Sequence, residues 1–203
     1  IAFSSGRLSE IGDNFTIIHA NFANLKEELE KRGITKVDAI LFDLGVSSPQ
    51  LDEADRGFSY HQDAKLDMRM DQTQALSAYD VVNTFEEAEL ADIFYRYGEE
   101  KFSRSIAKNI VAARREHPIE TTLELAEIIK NSVPERVRRA SHPARKVFQA
   151  IRIYVNRELE VLEIALQDAL SILAIDGHIS VITFHSLEDR IVKNKFKEVT
   201  EVD

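Results

Sequence analysis

The sequence predicts an α/β fold built on a parallel, doubly wound sheet, and three observations predict it. An apolar run over 37–42 reads as a buried strand and ends at Asp43-Leu44-Gly45-Val46-Ser47-Ser48-Pro49-Gln50. A second run, His178-Ile179-Ser180-Val181-Ile182-Thr183-Phe184, empties into His185-Ser186-Leu187-Glu188-Asp189-Arg190. Between and around them strands alternate with helical patterns, as parallel sheets require. Ligands of open α/β sheets sit beyond the carboxyl ends of the strands. If the two strands are parallel neighbours, both polar clusters share one edge, and the active site is expected there.

The elements follow in order. Residues 15–19 read as a strand ending at Ala20-Asn21-Phe22. A short helix around 25–31 stops at Gly33, a residue that helix ends favour. After the strand through Phe42, residues 51–79 are polar and without period, a loop with short turns. Thr84-Phe85-Glu86-Glu87 and Thr121-Thr122-Leu123-Glu124 have capping-box spacing and start two helices. Another helix, 102–116, lies between them, and Pro134 closes the set. A long helix then opens at His142-Pro143, with apolar residues Phe148, Ile151, Val155, Leu159, Leu162, Leu166, Ala169 and Leu173. Their spacing of three or four makes one continuous stripe. Asp176-Gly177 is expected to end this helix and launch the last strand.

Composition narrows the classes. A chain of 203 residues with 44% apolar and 30% charged residues can bury a real core. No apolar run approaches the ~20 residues of a membrane span, and no leader pattern opens the sequence. With 0 cysteines there are no disulfides, thiol nucleophiles or cysteine-bound metals. The expected setting is cytoplasmic. The net charge of −9 argues against nucleic acid on average. Locally the sign reverses: Arg136, Arg138, Arg139, Arg145, Lys146 and Arg152 stand together with Glu135 as the one acid. Such a face suits phosphates, or is a solvated surface.

At the first strand exit Asp43 can accept from hydroxyls or amines, Gly45 permits close backbone approach, and Ser47-Ser48-Pro49 frames a rigid turn. The same residues also make an ordinary turn. A serine-hydrolase elbow needs glycine on both sides of the serine, and here Gly45 stands on one side only. His185, Glu188 and Asp189 match no established metal spacing, so no metal is expected. In the polar loop, Arg56-Gly57-Phe58-Ser59-Tyr60 and Leu66-Asp67-Met68-Arg69-Met70-Asp71 could grip phosphate and stack bases. Alternatively, Phe58 and Met68 bury under the loop while Arg56 and Arg69 pair with Asp55 and Asp67.

These blocks assemble into a recognisable order. Asp43 to Asp52, Arg56 to Ser59, Leu66 to Asp71, Tyr97-Gly98-Glu99-Glu100, His142-Pro143-Ala144, Phe148 to Ile153 and Phe184 to Lys193 together resemble the RsmH (MraW) family. That family comprises bacterial 16S ribosomal RNA cytosine-N4 methyltransferases. The resemblance runs from about Phe15 to Lys193. It implies a class I, Rossmann-like methyltransferase core at 1–51 and 142–203, with an inserted helical substrate-recognition domain at 52–141. It implies S-adenosylmethionine as methyl donor and a cytidine in the decoding region of 16S ribosomal RNA as acceptor, with the small ribosomal subunit as partner. The family's cofactor contacts carry over onto Phe22, Asp43 and Gln50. Ser47, Ser48 and Pro49 are similar to the Ser/Asp-Pro-Pro turn of amino-methyltransferases and are the expected catalytic residues. Substrate contacts are expected from Arg56, Phe58, Asp67, Arg69, Arg145, Lys146, His185 and Arg190.

The pattern departs from the family at its ends. The family's glycine-rich loop, its ribose-binding carboxylate and its C-terminal tail have no counterpart among these 203 residues, so the core is expected to be incomplete. The polypeptide by itself is then expected to be inactive and to pair with a second copy through an open strand edge. The competing class is a non-catalytic RNA- or ribosome-binding module with a broken cofactor site.

Overall fold

The computed structural model describes residues 2–47, 50, 53–140 and 142–201. The chain divides into two compact units: Ile1–Leu44 with Leu159–Asp203, and Gly45–Glu158. The second unit is wider than the expected insertion, because the helix after His142 contributes Val147, Phe148, Ile151 and Val155 to its core.

The first unit contains α1 (Ala2–Ser9), a 3-10 turn at Phe22–Asn24, α2 (Leu25–Glu30), β1 (Val37–Asp43), α9 (Glu158–Ile172), β2 (Leu173–Ile182) and α10 (Ser186–Thr200). The two strands pair in parallel, with Ala39 opposite His178 and Asp43 opposite Ile182. Residues 15–19 form no strand; a strand exists through its ladder, and among the described residues nothing pairs with them. Gly33 does end the short helix region, at φ +73. The core of this unit is Phe42, Leu44, Leu162, Ala165, Leu166, Ala169 and Val192. The strand over 37–42 is less buried than its composition suggests: Leu41 is 66% exposed, since helices cover one face of this strand pair.

The second unit is helical: α3 (Ala78–Thr84), α4 (Glu87–Gly98), α5 (Ser103–Ala113), α6 (Thr122–Asn131), α7 (Glu135–Ala140) and α8 (Ala144–Asn156). Thr121 and Glu124 make the expected capping box of α6. Thr84 does not cap α4. Its hydroxyl donates to the Asp80 carbonyl at 2.7 Å, and Glu86 takes the cap position with Glu89 three residues on. The preceding helix, α3, runs through Thr84 and leaves it no freedom to start another.

The long helix is two helices. Arg157 adopts φ 51, ψ 36 and caps α8, its N–H donating to the Ile153 and Tyr154 carbonyls. Asn156 ties the end of α8 to the polar loop, accepting from Met70 N at 2.7 Å and donating to Met68 O at 2.8 Å. Arg152 and Glu158 pair through two hydrogen bonds, at 2.7 and 2.9 Å. The apolar stripe itself is intact. Phe148, Ile151 and Val155 serve the helical core, whereas Leu162, Leu166 and Ala169 serve the sheet core. The last strand also begins earlier than expected, at Leu173, because Val37 pairs with it. The register then slips before Ala39 and His178, with Asp176 at φ 63.

Candidate functional site

The parallel pairing settles one edge of the first unit. Asp43 closes β1 opposite Ile182, and Leu44 N donates to Ile182 O at 3.2 Å. Asp43 and the Thr183–His185 exit therefore leave the same end of one ladder. The Asp43 carboxylate is exposed. Phe22, 40% exposed, lies with its ring 5.9 Å from that of the buried Phe42. This edge thus offers an acceptor-only carboxylate and a half-open aromatic face.

His185 is the N-cap of α10, its Nδ1 accepting from Glu188 N at 3.5 Å. Its Nε2 lies 3.2 Å from Glu188 Oε1. Glu188, 3% exposed, also accepts from Phe184 N at 2.8 Å. The block after β2 is thus a fixed strand-to-helix corner. The sequence reading missed the role of Glu188, although an N-cap residue followed three positions later by Glu is the capping spacing. Histidine in place of serine or threonine hides it. Arg190 is exposed on the second turn of α10.

In the second unit, Gly45 takes φ +86 as the chain leaves the strand. Ser47 N and Oγ both donate to Gln50 Oε1, at 2.9 and 3.2 Å, while Gln50 N donates back to Ser47 O at 3.0 Å. The turn is self-closed. The Ser47 hydroxyl spends its hydrogen on Gln50 and keeps lone pairs to accept with. Ser48 and Pro49 lie outside the described residues.

The polar loop is held by its own arginines. Arg69 pairs with Asp67 at 2.9 and 2.8 Å and donates to the Gln72 and Gln74 carbonyls. Burial acts to raise the Asp67 carboxyl pKa, but the hydrogen bonds from Arg69 outweigh it and hold the group below its usual range. Arg56 donates to the Arg69 and Met70 carbonyls at 2.9 and 3.1 Å, with its guanidinium 5.8 Å from the Phe58 ring. Phe58 and Met68 are buried. Gly57 at φ +69 sits where a Cβ would meet the Lys65 carbonyl at 2.3 Å. The loop therefore spends most of these groups on its own shape.

The basic stretch is exposed along α7 and the first turn of α8. Arg139 pairs with Glu135. Arg138 donates to Val133 O at 3.2 Å and Lys146 to Glu99 O at 3.1 Å. Arg136 and Arg145 have no side-chain partner among the described residues.

Residues from distant parts of the chain also meet. The rings of Tyr60 and His142 stack at 4.5 Å with 24° between planes. His61 lies 5.5 Å from His142, and Phe148 lies edge-on to Tyr60 at 5.5 Å. No local pattern in the sequence announces this cluster, because Tyr60 and His61 come from the polar loop whereas His142 and Phe148 come from around the start of α8.

Parallel strands that deliver Asp43 and His185 to one edge, joined to a largely helical unit, define an α/β protein of the class I methyltransferase type. The family model described as the MraW methylase family matches residues 1–203, and the chain belongs to that family. It is 60% identical over 188 residues to a Lactobacillus delbrueckii subsp. bulgaricus protein named Ribosomal RNA small subunit methyltransferase H, covering 92% of this chain and 60% of that protein. The protein of the same name from Exiguobacterium sibiricum is 58% identical over 98% of this chain and 64% of its own length. That of Oceanobacillus iheyensis is 56% identical, with coverage of 98% and 61%. The chain thus spans somewhat under two thirds of the length of the curated relatives it matches. No described helix is long and apolar enough to cross a membrane.

Proposed function

We propose that the protein carrying this chain transfers a methyl group from S-adenosylmethionine to the exocyclic N4 amine of a cytidine in 16S ribosomal RNA, in the decoding region of the cytoplasmic small subunit. The observation that carries the reading is the shared strand edge, with Asp43 opposite Ile182 and the His185 corner beside it. The curated relatives support it through their common name, which specifies small-subunit ribosomal RNA.

The donor set suits the cofactor. The exposed Asp43 carboxylate can accept from cofactor hydroxyls or its amine, and the half-open Phe22 ring can lie against an adenine. Gln50 would reach the cofactor through its amide N–H, since its carbonyl is held by Ser47. When bound, S-adenosylmethionine supplies an electrophilic methyl on a sulfonium.

Cytosine's amine delocalises its lone pair into the ring and is a poor nucleophile. Ser47 and Ser48, with the Ser48 and Pro49 carbonyls, would accept its two hydrogens and favour a more tetrahedral nitrogen. Ser47 is prepared for accepting because its own hydrogen is committed to Gln50. The sulfonium of the bound donor would supply the methyl carbon to this nitrogen and keep its own electron pair as a neutral thioether, and the surplus proton on nitrogen would leave to solvent. No strong base is needed first, because that proton is acidic once nitrogen is alkylated. Orientation supplies most of the gain, up to ~7–11 kcal/mol in principle, and the base must leave its stack to be reached. Arg56, Phe58, Asp67 and Arg69 would hold the substrate-facing loop in shape, while Arg145, Lys146 and Arg190 would serve the RNA backbone; His185, turned onto Glu188, holds the strand-to-helix corner rather than the substrate.

The test is transfer of labelled methyl by the complete gene product to small-subunit RNA from a strain lacking that gene. Digestion to nucleosides should place the label in N4-methylcytidine. Label in another nucleoside, or none, rejects the reading.

A further inference from the structure

Beside the Tyr60–His142 stack lies a cleft of about 420 Å³, bordered further by Leu123, Glu127, Lys130 and Arg138. We infer that this cleft binds one unpaired nucleotide of the RNA substrate, its base packed against the His142 ring and its phosphates met by Lys130 and Arg138. The inference rests on small-subunit RNA being the substrate and adds to that reading a second contact point, built entirely within the helical unit.

The geometry carries it. Tyr60 is fixed from behind by Phe148, which is 3% exposed, so the stack is anchored in the core. His142 is exposed and lines the cleft. Its Nδ1 accepts from Ala144 N at 3.3 Å, which fixes the ring and leaves the other nitrogen to carry the proton. Burial, then His61 and Lys130, hold the ring's pKa below its ordinary value, so at neutral pH it presents an uncharged aromatic surface. Leu123, 42% exposed, adds an apolar side chain to the lining of the cleft.

The rim selects the ligand class. Lys130 and Arg138 are exposed cations, and Arg136 and Arg145 extend the same charge along α7 and α8. Glu127 is kept ionised by Lys130 and Asn131 and can accept from an exocyclic amine or a 2′-hydroxyl. A flat apolar ring, a cationic rim and one acceptor match a single nucleotide of unpaired RNA. An acidic peptide would use the cations but leave the ring surface without a partner.

The experiment measures binding of the 203-residue chain to a labelled single-stranded oligoribonucleotide and to an abasic ribose-phosphate strand of equal length. The strand with bases should bind about tenfold or more tighter, the usual worth of a stacked base. His142→Ala should erase that preference without altering the salt dependence, and His142→Phe should restore it. Arg138→Gln should weaken both strands alike and lower the salt slope. Equal affinity of the unaltered chain for the two strands, or an undiminished preference in His142→Ala, overturns the inference, as does displacement by polyglutamate as effective as by RNA. If such a result accompanies normal methylation of small-subunit RNA by the gene product, the subsite alone has failed. Absence of that methylation would reject the functional reading instead.

Discussion

Asp43 stands opposite Ile182 in the parallel ladder, so the carboxylate that ends one strand and the polar corner that follows the other emerge at the same edge. That pairing brings two sequence motifs separated by most of the chain to one end of one ladder. It also makes Asp43 a positional test. Asp43→Asn keeps the side chain's shape and removes the charge. Loss of a charge-assisted hydrogen bond costs ~1.5–3 kcal/mol, so cofactor affinity of the gene product should fall about tenfold to a hundredfold. Calorimetric titration reads this, and unchanged affinity would remove Asp43 from the cofactor site.

Gly98 ends α4 against α8. A Cβ there would meet the Lys146 carbonyl at 2.6 Å and the Ala150 Cβ at 3.2 Å. Gly98→Ala should therefore destabilise the helical unit by ~1–3 kcal/mol through overpacking. A lowered denaturation midpoint checks this, whereas a gain in stability would mean that the two helices separate at little cost.

Asn156 joins the end of α8 to the polar loop through Met68 O and Met70 N. Asn156→Ala leaves both backbone groups without this partner and should cost ~1–3 kcal/mol. Proteolysis should then cut the loop near Met68 and Met70 first. An unaltered cleavage pattern would show that the loop holds its shape without this tie.

The Asp67 carboxyl lies below its ordinary range in the folded chain, burial being outweighed by Arg69. A depressed folded value means that the folded state binds fewer protons than the unfolded one. The associated stability is present above the unfolded value of about 3.9 and is lost as pH falls through the folded value. Asp67→Asn should thus lower stability at neutral pH and flatten its decline below about pH 4. Parallel pH–stability curves for the two proteins would contradict this.

Arg136 and Arg145 carry the basic face most freely, since Arg138, Arg139 and Lys146 also bond within the chain. Replacing Arg136 and Arg145 with glutamine should reduce the log–log salt slope of RNA binding by about 0.7 to 0.9 per lost contact. An unchanged slope would show these side chains to be merely solvated.

The sequence made the two strand exits, their shared edge and most of the helices legible, because the apolar periods and caps that specify them are local. What it concealed is instructive. The α8–α9 break at Arg157 involves no glycine or proline, and its apolar stripe continues unbroken while changing cores. Thr84 has the cap spacing, yet α3 extends through it, and Glu86, a residue type that N-caps seldom use, stands at the cap instead. The 15–19 segment has strand composition, yet a strand needs a neighbour that composition does not supply. The Tyr60–His142 stack is a long-range contact, and no spacing rule reaches that far.

The role proposed for the Ser47 turn is to orient a cytidine amine for methylation. It is tested most directly by the complete gene product carrying Ser47→Ala and Ser48→Ala together, assayed for labelled methyl transfer to small-subunit RNA and for S-adenosylmethionine affinity. The double variant should show a large loss of N4-methylcytidine formation with cofactor affinity within a few-fold of normal. Near-normal methylation by the double variant would contradict it.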